Sequence, residues 1–480
     1  MNTQKFYFFL YFICLLLLAP INLPSFDTYY YWDWSRHLDL SYYDGSPMIA
    51  YFIKGSTLLF GDTLFALTFV GIFSTALSSW IIYKTARQFL SVPASNIATV
   101  LWLLSPLVTL DLLHQTTYDT PLTIFWALTL YFVVRFLKNE SRNDLYLIGL
   151  SIGLMLLSKY SGVVLIVSLV IFLITSRYRY LFRTPQFYLA LALSIACFSP
   201  VIIWNYQHGW QSFLYQLTTH QHTIQQNPLH AMFHALYYTF LPSLNFMLFP
   251  PLLYLFNKKV LPSSPKEDDI TKSIVQLCFI TCSVFVFFYL FTAYKANVKG
   301  CWLTQYLITS ALLAGYCYEK FLYKRAARIV IMSYALLSTL ILLNNSYLYQ
   351  FIPSNKFAYY RLIQQVNEQY KNLPDVVFSS GWFEARMLFF LKNKPLIYTI
   401  DCGVNQNQYA LWSTSAAAKI ANKTMREIMF IDDKDRSQCL KKYFDTCEQL
   451  PIQPEKKGKA LIPIFVYKCV NHRANDLTLG

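Results

Sequence analysis

The chain has 480 residues, of which 55% are hydrophobic, 18% aromatic and 14% charged, and its formal net charge is +15. This composition and the positive mean hydropathy are too apolar for an ordinary soluble protein. They exclude an ordinary soluble enzyme and indicate a chain whose solvent is the lipid bilayer.

Apolar segments recur from the N-terminus to about residue 346, most of them long enough to cross a bilayer core of about 30 Å. The first segment is followed by no small-residue cleavage pattern, so we interpret it as a span and not as a signal peptide. The eleven predicted spans are 6–21, 62–83, 95–111, 120–137, 144–158, 161–176, 186–204, 236–256, 274–293, 301–318 and 328–346.

Basic residues gather in alternate loops between these spans. These loops hold Lys84, Arg87, Arg135, Lys138, Arg142, Arg177, Arg179, Arg183, Lys258, Lys259, Lys320, Lys324, Arg325 and Arg328. Loops rich in lysine and arginine stay in the cytoplasm, so the pattern predicts a cytoplasmic N-terminus and, after eleven spans, a C-terminus outside. Because the positive charge marks membrane topology, it argues against nucleic acid as a partner.

The residues after about 350 change in character and predict a small soluble α/β domain. We therefore divide the chain into a membrane domain, 1–348, and a periplasmic domain, 349–480. The periplasmic domain contains four cysteines, which predict one or two disulfides in an oxidising compartment without fixing their pairing. They are Cys402, Cys439, Cys447 and Cys469. No Cys or His spacing typical of a zinc site occurs there.

The first outer segment, about 22–60, contains acids among many aromatic residues. In a helix that starts at Asp27, the side chains of Tyr30, Tyr31, Trp34 and Leu38 share one face. This pattern predicts a helix lying on the membrane, with the Asp27 carboxylate at the water boundary. Asp is also a preferred helix N-cap, so spacing alone leaves both a catalytic and a capping role open.

Asp119 and Lys159 stand at the outer ends of predicted spans. Asp119 precedes Thr120-Pro121, a pattern that also fits the start of a helix, so its position alone decides nothing. Lys159 lies between two short apolar helices on the side where basic residues are rare. A lysine there is costly unless it meets an anion or reaches water, so Lys159 is a candidate phosphate partner, with snorkelling as the alternative.

Several segments follow one another in a recognisable order. They are Asp27-Thr28-Tyr29-Tyr30-Tyr31-Trp32, Tyr42-Tyr43-Asp44-Gly45-Ser46-Pro47, Tyr118-Asp119-Thr120-Pro121-Leu122, Leu157-Ser158-Lys159-Tyr160, Trp204-Asn205-Tyr206-Gln207-His208-Gly209-Trp210 and Tyr294-Lys295-Ala296-Asn297. Together they resemble the bacterial members of glycosyltransferase family 39, which are related to dolichyl-phosphate-mannose protein mannosyltransferases and to the aminoarabinose transferase of lipid A.

The resemblance implies an α-helical polytopic membrane protein of the GT-C type, with about eleven transmembrane helices and a small C-terminal α/β periplasmic domain. It implies a bacterial inner-membrane enzyme with its active site on the periplasmic face. The enzyme would be a hexosyl- or pentosyltransferase that uses a polyprenyl-phosphate-linked sugar donor. The acceptor would be a glycolipid, a glycan or a protein of the cell envelope, such as lipopolysaccharide.

The resemblance also implies roles for single residues. Asp27 matches the acid taken as catalytic, and Asp119 matches a second acid near the site. Lys159 matches a lysine that contacts the donor phosphate, and Asp44 matches an acid before a His-Pro-Pro or Lys-Pro-Pro element. Three positions depart from the family pattern, because Thr28, Gly45-Ser46-Pro47 and Asn297-Val298-Lys299 replace a glutamate, His-Pro-Pro and Asn-Trp-Pro.

The remaining candidates for substrate binding lie in the same segments. Arg36 and Lys295 could join Lys159 in neutralising the leaving phosphate, and Tyr30 and Tyr43 complete the set. No cofactor is required by this scheme. A divalent cation is a further candidate, held by Asp27, Asp44 and the outer histidines, although those histidines follow no tight ligand spacing. They are His208, His220, His222, His230 and His234.

Two other functions stay open at this point. A transporter or flippase for lipid-linked sugars would place polar residues at mid-membrane and broken helices in two repeated halves, whereas these spans are apolar through their centres. A non-catalytic protein on the same fold is compatible with the changes at Thr28 and Gly45.

Overall fold

The computed structural model describes most of the chain in two compact units. The first unit comprises Met1–Asn22 and Leu38–Leu343, and the second comprises Leu23–His37 and Asn344–Gly480. The predicted boundary at residues 348 and 349 stays a prediction, and the structure adds a short early segment to the second unit. The described residues are 3–113, 115–218, 269–295, 300–321, 329, 333, 336, 340, 355–370, 376–379, 389–392, 394–400, 407–409, 411–412, 427–452, 454–457 and 460–472.

In the residues that the structure describes, the first unit is built from helices. They are α1 (Thr3–Leu18), α3 (Met48–Phe60), α4 (Leu64–Ala86), α5 (Val92–Leu103), α6 (Pro106–Val108), α7 (Asp119–Asn139), α8 (Arg142–Ser158), α9 (Val163–Thr175), α10 (Pro185–Gln207), α11 (Gln211–Leu217), α12 (Asp269–Lys295) and α13 (Thr304–Phe321). Helix α2 (Phe26–Arg36) belongs to the second unit. Short 3₁₀ turns occur at Ala19–Ile21, Tyr160–Gly162, Arg177–Arg183 and Gly300–Leu303, and a π-helical turn at Thr109–Leu113.

Most predicted spans coincide with these helices, and the differences have local causes. The span predicted at 95–111 is broken after Leu103, because Pro106 cannot continue the hydrogen bonding of α5. Helix α3 lies in what we predicted as an outer segment. The spans predicted at 236–256 and 328–346 fall largely outside the described residues, so the count of eleven stays a prediction. Among the described helices, four are long and apolar enough to cross a membrane, or up to six if bent pairs count as one.

Helices α7, α8 and α10 pack closely. A side chain at Gly149 of α8 would lie 2.1 Å from the carbonyl oxygen of Ala190, and one at Gly153 would lie 2.4 Å from Cβ of Cys197. Both glycines therefore allow α8 and α10 to touch at the backbone. At the turn between α7 and α8, Arg135 forms an ion pair with the buried carboxylate of Asp144, which ties the two helices together at that end.

The described elements of the second unit after α2 are α14 (Asn355–Gln369), β1 (Val376–Ser379), β2 (Leu396–Thr399), β3 (Glu427–Asp432), α15 (Ser437–Tyr443), β4 (Phe444–Leu450), β5 (Glu455–Lys457), β6 (Ala460–Ile462) and β7 (Phe465–His472). Five of these strands form a mixed sheet in the order β2-β1-β3-β7-β4. Strand β1 is parallel to β2 and β3, and β7 is antiparallel to β3 and β4. The sequence-based prediction of a small C-terminal α/β fold is confirmed.

Apolar side chains cover both faces of this sheet. Leu362 and Val366 of α14 pack with Val377 and Val466 on one face. On the other face, Phe430 packs with Leu440 of α15 and with other residues of that side. A disulfide between Cys447 and Cys469 joins the neighbouring strands β4 and β7.

The aromatic face of α2 is buried in protein, which corrects the prediction of a helix lying on the membrane. Tyr30 and Trp34 are fully buried, and the ring of Tyr30 lies 5.3 Å from that of Tyr409. On the same helix the ring of Trp32 lies 5.0 Å from that of Phe389. The aromatic residues of α2 therefore belong to the core of the second unit. An apolar stripe at helical spacing is equally suited to lipid and to a protein core, so the spacing could not distinguish them.

Candidate functional site

The first unit brings Asp119 and Lys159 together in a buried ion pair. The ammonium nitrogen of Lys159 lies 2.7 Å from Oδ2 and 2.9 Å from Oδ1 of Asp119. The Asp119 side chain is 4% exposed and that of Lys159 is 20% exposed. The ion pair offsets the free-energy cost of burying most of a lysine side chain, because the opposite charge compensates for the lost hydration.

The helix ends place both charges. Asp119 is the first residue of α7, and its backbone N–H donates to the hydroxyl of Thr117, while Pro121 follows within the first turn. Lys159 follows the last residue of α8 and has an extended backbone, with φ −163° and ψ 137°. The chain therefore leaves the helix at Lys159 and turns through Tyr160–Gly162 before α9 begins.

A turn near the start of α13 supplies further contacts to both charges. Nε2 of Gln305 donates to Oδ1 of Asp119 at 3.2 Å and to the hydroxyl of Thr123 at 3.3 Å. The ammonium of Lys159 lies 5.8 Å from the ring centroid of Trp302, within the range of a cation–π contact. Neither Gln305 nor Trp302 was among the predicted site residues. The signal that could have identified this turn is the pair of polar residues Thr304-Gln305 in an apolar span, because burying polar side chains in a membrane costs free energy.

A second buried acid lies beside this cluster. Asp111, in the π-helical turn Thr109–Leu113, is 2% exposed, and its Oδ2 accepts a hydrogen bond from the hydroxyl of Thr304 at 2.6 Å. Single π-helical turns are frequent at functional sites in helical proteins. Asp111 was not among the predicted site residues, although a carboxylate at the end of the predicted span 95–111 was a signal that could have found it.

The loop that holds Asp44 packs within the first unit. Asp44 is 5% exposed, and its backbone carbonyl accepts a hydrogen bond from Nε2 of Gln216 at 2.6 Å. Gly45 has φ +153°, and a side chain there would meet the Tyr118 hydroxyl at 3.1 Å. Both features favour glycine, so the histidine or lysine of the family pattern would be strained on this backbone. The hydroxyl of Ser46 donates to the carbonyl of Leu156, which ties the loop to the last turns of α8.

Tyr43, the neighbour of Asp44, packs in the same loop. Its ring lies 5.1 Å from that of Tyr215. Burial and, to a smaller extent, the charge of Asp44 raise the pKa of the Tyr43 phenol, so the hydroxyl stays protonated and able to donate. A binding role for Tyr43 and Asp44 stays a prediction.

Asp27, Tyr30 and Arg36 lie on α2 in the second unit. Asp27 stands in the first turn, after Ser25 as the N-cap, where the exposed N–H groups of the helix favour a negative charge. The Tyr30 hydroxyl accepts a hydrogen bond from the backbone N–H of Gln408 at 3.0 Å. Arg36 pairs with Asp33 at 3.1 Å. The predicted roles of these three residues in catalysis and binding stay predictions.

The remaining candidates include several that lie outside the described residues. They are the side chain of Lys295 and the four histidines His220, His222, His230 and His234. His208 is described, and its ring stacks on that of Trp204 at 4.0 Å while Nδ1 contacts the Trp204 carbonyl. Within the described part of the chain, no group of three or more His, Cys, Asp or Glu residues could hold a metal ion. The divalent cation stays a prediction.

Part of the first unit is similar in sequence to a known family. The sequence model of the dolichyl-phosphate-mannose-protein mannosyltransferase family matches residues 44–204, a range that includes Asp44, Asp119 and Lys159. Over 184 residues the chain is 28% identical to the lipid A galacturonosyltransferase RgtD of Rhizobium johnstonii. That match covers 38% of this chain and 38% of RgtD.

Comparison of structures extends the likeness to nearly the whole chain. The crystal structure of ArnT from Cupriavidus metallidurans in the apo state matches with a TM-score of 0.72 at 12% identity, over 97% of this chain and 98% of ArnT. ArnT bound to undecaprenyl phosphate matches with a TM-score of 0.71 at 12% identity, over 100% of this chain and 99% of ArnT. At this identity the likeness shows the fold alone. The GT-C fold class and the resemblance to glycosyltransferase family 39 are confirmed.

Proposed function

We propose that this multi-pass membrane protein is a glycosyltransferase that takes its sugar from a polyprenyl-phosphate carrier on the periplasmic face of the bacterial inner membrane. Such a transfer needs an acceptor hydroxyl made nucleophilic and a phosphate leaving group whose charge is neutralised. The leaving group remains attached to lipid, so the reaction must take place where a helix bundle meets the membrane surface.

The Asp119–Lys159 pair is the observation that supports this proposal. A buried ion pair adds little to stability compared with apolar packing, so its presence at a helix end favours a functional reason. Lysine binds phosphate as a point charge, and a cation in a site poor in water stabilises a leaving phosphate more strongly than it would in solution. In this scheme Lys159 contacts the donor phosphate, and Asp119 holds the ammonium in place beforehand.

The two ends of α7 and α8 support the proposed orientation. Asp119 and Arg135 are separated by sixteen residues of one helix, a distance of about 24 Å at 1.5 Å per residue. This length suits the bilayer core, so in the proposed orientation the Arg135–Asp144 pair lies on the opposite side from Lys159. The loop at the Arg135 end is basic, which supports a cytoplasmic side for that end and a periplasmic side for Lys159.

Asp27 is the proposed general base, and its role rests on the resemblance to family 39. A carboxylate in the first turn of α2 could take or orient the proton of the acceptor hydroxyl, which contributes about 10²- to 10⁴-fold in rate. A single displacement at the anomeric carbon would invert its configuration. The acceptor class we favour is a glycolipid or envelope glycan, since RgtD is described as acting on lipid A.

Variants of Lys159 test the proposal. We expect Lys159→Ala to lower sugar transfer about 30- to 1,000-fold, equivalent to about 2 to 4 kcal/mol, and Lys159→Arg to keep part of the activity. The assay is transfer from defined polyprenyl-phosphate sugars in membranes, with protein amounts matched by immunoblot. The matched control is Lys272→Ala, which removes a lysine from an exposed Lys–Asp pair on α12.

A second variant separates loss of activity from loss of folding. Lys159→Ala leaves the Asp119 carboxylate buried without its cation, which by itself destabilises the protein. Lys159→Ala combined with Asp119→Asn removes that unpaired charge, so we expect it to recover stability without recovering transfer. Normal transfer by this double variant would refute the role of Lys159 in the reaction.

A further inference from the structure

Two adjacent residues at the start of α13 each donate a hydrogen bond to a different buried acid. Thr304 donates to Asp111 at 2.6 Å, and Gln305 donates to Asp119 at 3.2 Å. Thr304 and Gln305 are 0% and 2% exposed. The start of α13 therefore makes polar contacts deep inside the unit, and one of them reaches the carboxylate that pairs with Lys159.

The carboxamide of Gln305 has two acceptors that lie on one turn of α7. Its nitrogen carries two N–H groups, and these face Oδ1 of Asp119 and the hydroxyl oxygen of Thr123. The Thr123 hydroxyl donates its own proton to the backbone carbonyl of Asp119 at 2.6 Å. Its oxygen is therefore left to accept from Gln305, and the three polar groups fix one another.

We propose that Gln305 is a positioning residue for donor binding, an inference that rests on the proposed function. Oδ1 of Asp119 accepts from both Gln305 and Lys159, so the amide sets the rotation of the carboxylate against which the ammonium rests. Moving the carboxylate moves the ammonium, and an error of about 1 Å in a positioned group can cost about 10²-fold in rate. Trp302, three residues before Gln305, contacts the same ammonium.

The neutrality of Gln305 matters as much as its hydrogen bonds. Asp119 and Lys159 carry one negative and one positive charge, so the carboxylate of Asp119 balances the ammonium and does not exceed it. A second carboxylate at position 305 would make the cluster net negative where charges are weakly screened. Gln305 therefore donates to the Asp119 carboxylate, which a carboxylate at position 305 could not do, and it adds no negative charge beside the Lys159 ammonium.

The experiment compares two substitutions with different physical effects. Gln305→Met keeps the length of the side chain but loses both N–H donors, and we expect it to raise the KM for the donor about tenfold, as for one lost hydrogen bond to a charged group. Gln305→Glu adds a negative charge, and we expect it to raise the KM for the donor about 100-fold or more. The KM for the acceptor should change by less than about twofold in both variants, since in the proposed scheme Lys159 contacts the donor phosphate and not the acceptor.

The matched control is Thr304→Val, which removes the neighbouring buried hydrogen bond to Asp111 and leaves the contact to Asp119 intact. It should lower the unfolding temperature as Gln305→Met does, but leave the KM for the donor unchanged. Asp119→Asn combined with Gln305→Glu exchanges the acid and the amide, and it should bind donor more tightly than Gln305→Glu alone. A purely structural role for Gln305 would lower stability without a selective change in donor KM.

Equilibrium binding of undecaprenyl phosphate in detergent separates this inference from the proposed function. If the wild-type protein binds this lipid and both Gln305 variants bind it equally well, the inference is overturned and the proposed function stands. If the wild-type protein neither binds it nor transfers sugar, the proposed function fails and the inference fails with it. Weaker binding by Gln305→Glu than by Gln305→Met, with normal binding by Thr304→Val, is the expected result.

Discussion

Arg36 donates from its guanidinium to the backbone carbonyl oxygen of Lys394 at 2.8 Å. The same group contacts the carbonyl of Pro395 at 3.2 Å and the buried carboxylate of Asp33 at 3.1 Å. Burial raises the pKa of Asp33, and the charge of Arg36 opposes this rise. Arg36 therefore fastens α2 to the C-terminal part of the second unit and compensates a buried acid.

Replacing Arg36 should consequently destabilise the second unit. We expect Arg36→Ala to cost about 3 kcal/mol, because the Asp33 carboxylate is left buried without its cation. Arg36→Lys should recover only part of this, since an ammonium cannot match the planar fork that reaches two carbonyls. Limited proteolysis of the full-length protein in denaturant measures the effect, with the exposed Arg361→Ala as control. A stable Arg36→Ala protein with weak donor binding would instead support the predicted role in substrate binding.

Asp27→Asn tests the predicted catalytic carboxylate. Asparagine keeps the size of the side chain, and the N-cap of α2 is Ser25, so the helix should persist. We expect transfer to fall by about 10²-fold or more while binding of undecaprenyl phosphate is unchanged. The measurement is initial transfer rate at saturating donor, with Asp62→Asn, an exposed acid between α3 and α4, as control. Normal turnover by Asp27→Asn would reject a catalytic role and leave Asp27 with a structural role in the first turn of α2.

The disulfide between Cys447 and Cys469 can be tested by thiol labelling. In the denatured, unreduced protein, at least two of the four C-terminal cysteines should resist a maleimide reagent, and Cys447→Ser should make Cys469 reactive. Closing a loop of 22 residues stabilises a protein by roughly 3 kcal/mol, so reduction should lower the stability of the second unit. Cys197, which is free, reports complete labelling. Labelling of all four cysteines without reductant would contradict the assignment.

Asp433 should make the second unit less stable as the pH rises. Burial and the neighbouring Asp432 raise the pKa of Asp433 to about 6, from about 3.9 in an unfolded chain. The folded state therefore holds the proton more tightly, and this contribution is present below about pH 4 and lost as the pH rises through about 6. We expect Asp433→Asn to be the more stable protein at pH 7 and to lose that advantage at pH 4. The measurement is limited proteolysis at both pH values, with the exposed Asp445→Asn as control. Equal stability of Asp433→Asn and Asp445→Asn at both pH values would contradict the prediction.

Reporter fusions test the orientation inferred from the loop charges. A fusion near Arg142 should report the cytoplasm, because the adjacent loop is basic and lies at the Arg135–Asp144 end of α7 and α8. A fusion after residue 350 should report the periplasm. Paired alkaline phosphatase and fluorescent protein fusions give opposite readings and so control for expression. A cytoplasmic reading after residue 350 would reverse the side assigned to Lys159.

The charged residues of the candidate site could be predicted from the sequence, but the residues that contact them could not. Asp119 and Lys159 could be identified because each stands at the end of an apolar span, where charge is conspicuous. Their pairing could not, since it depends on how two helices pack. Gln305 lies 186 residues from Asp119 and was missed, because long-range contacts leave no local pattern. Helix α3 was missed for another reason: it is only 13 residues long and contains Lys54, so it did not meet the criteria for a span.

Helix α2 also sets the order in which the protein can be completed during synthesis. Arg36 and its acceptor Lys394 are 358 residues apart, so at 5 to 20 residues per second the acceptor is made on the order of 20 to 70 s after the donor. Until then the aromatic side chains of α2, among them Trp32 and Trp34, have no core to enter. The aromatic face of this short helix is therefore exposed to aggregation while the intervening helices are synthesised. The core of the second unit can be completed only after most of the chain has left the ribosome.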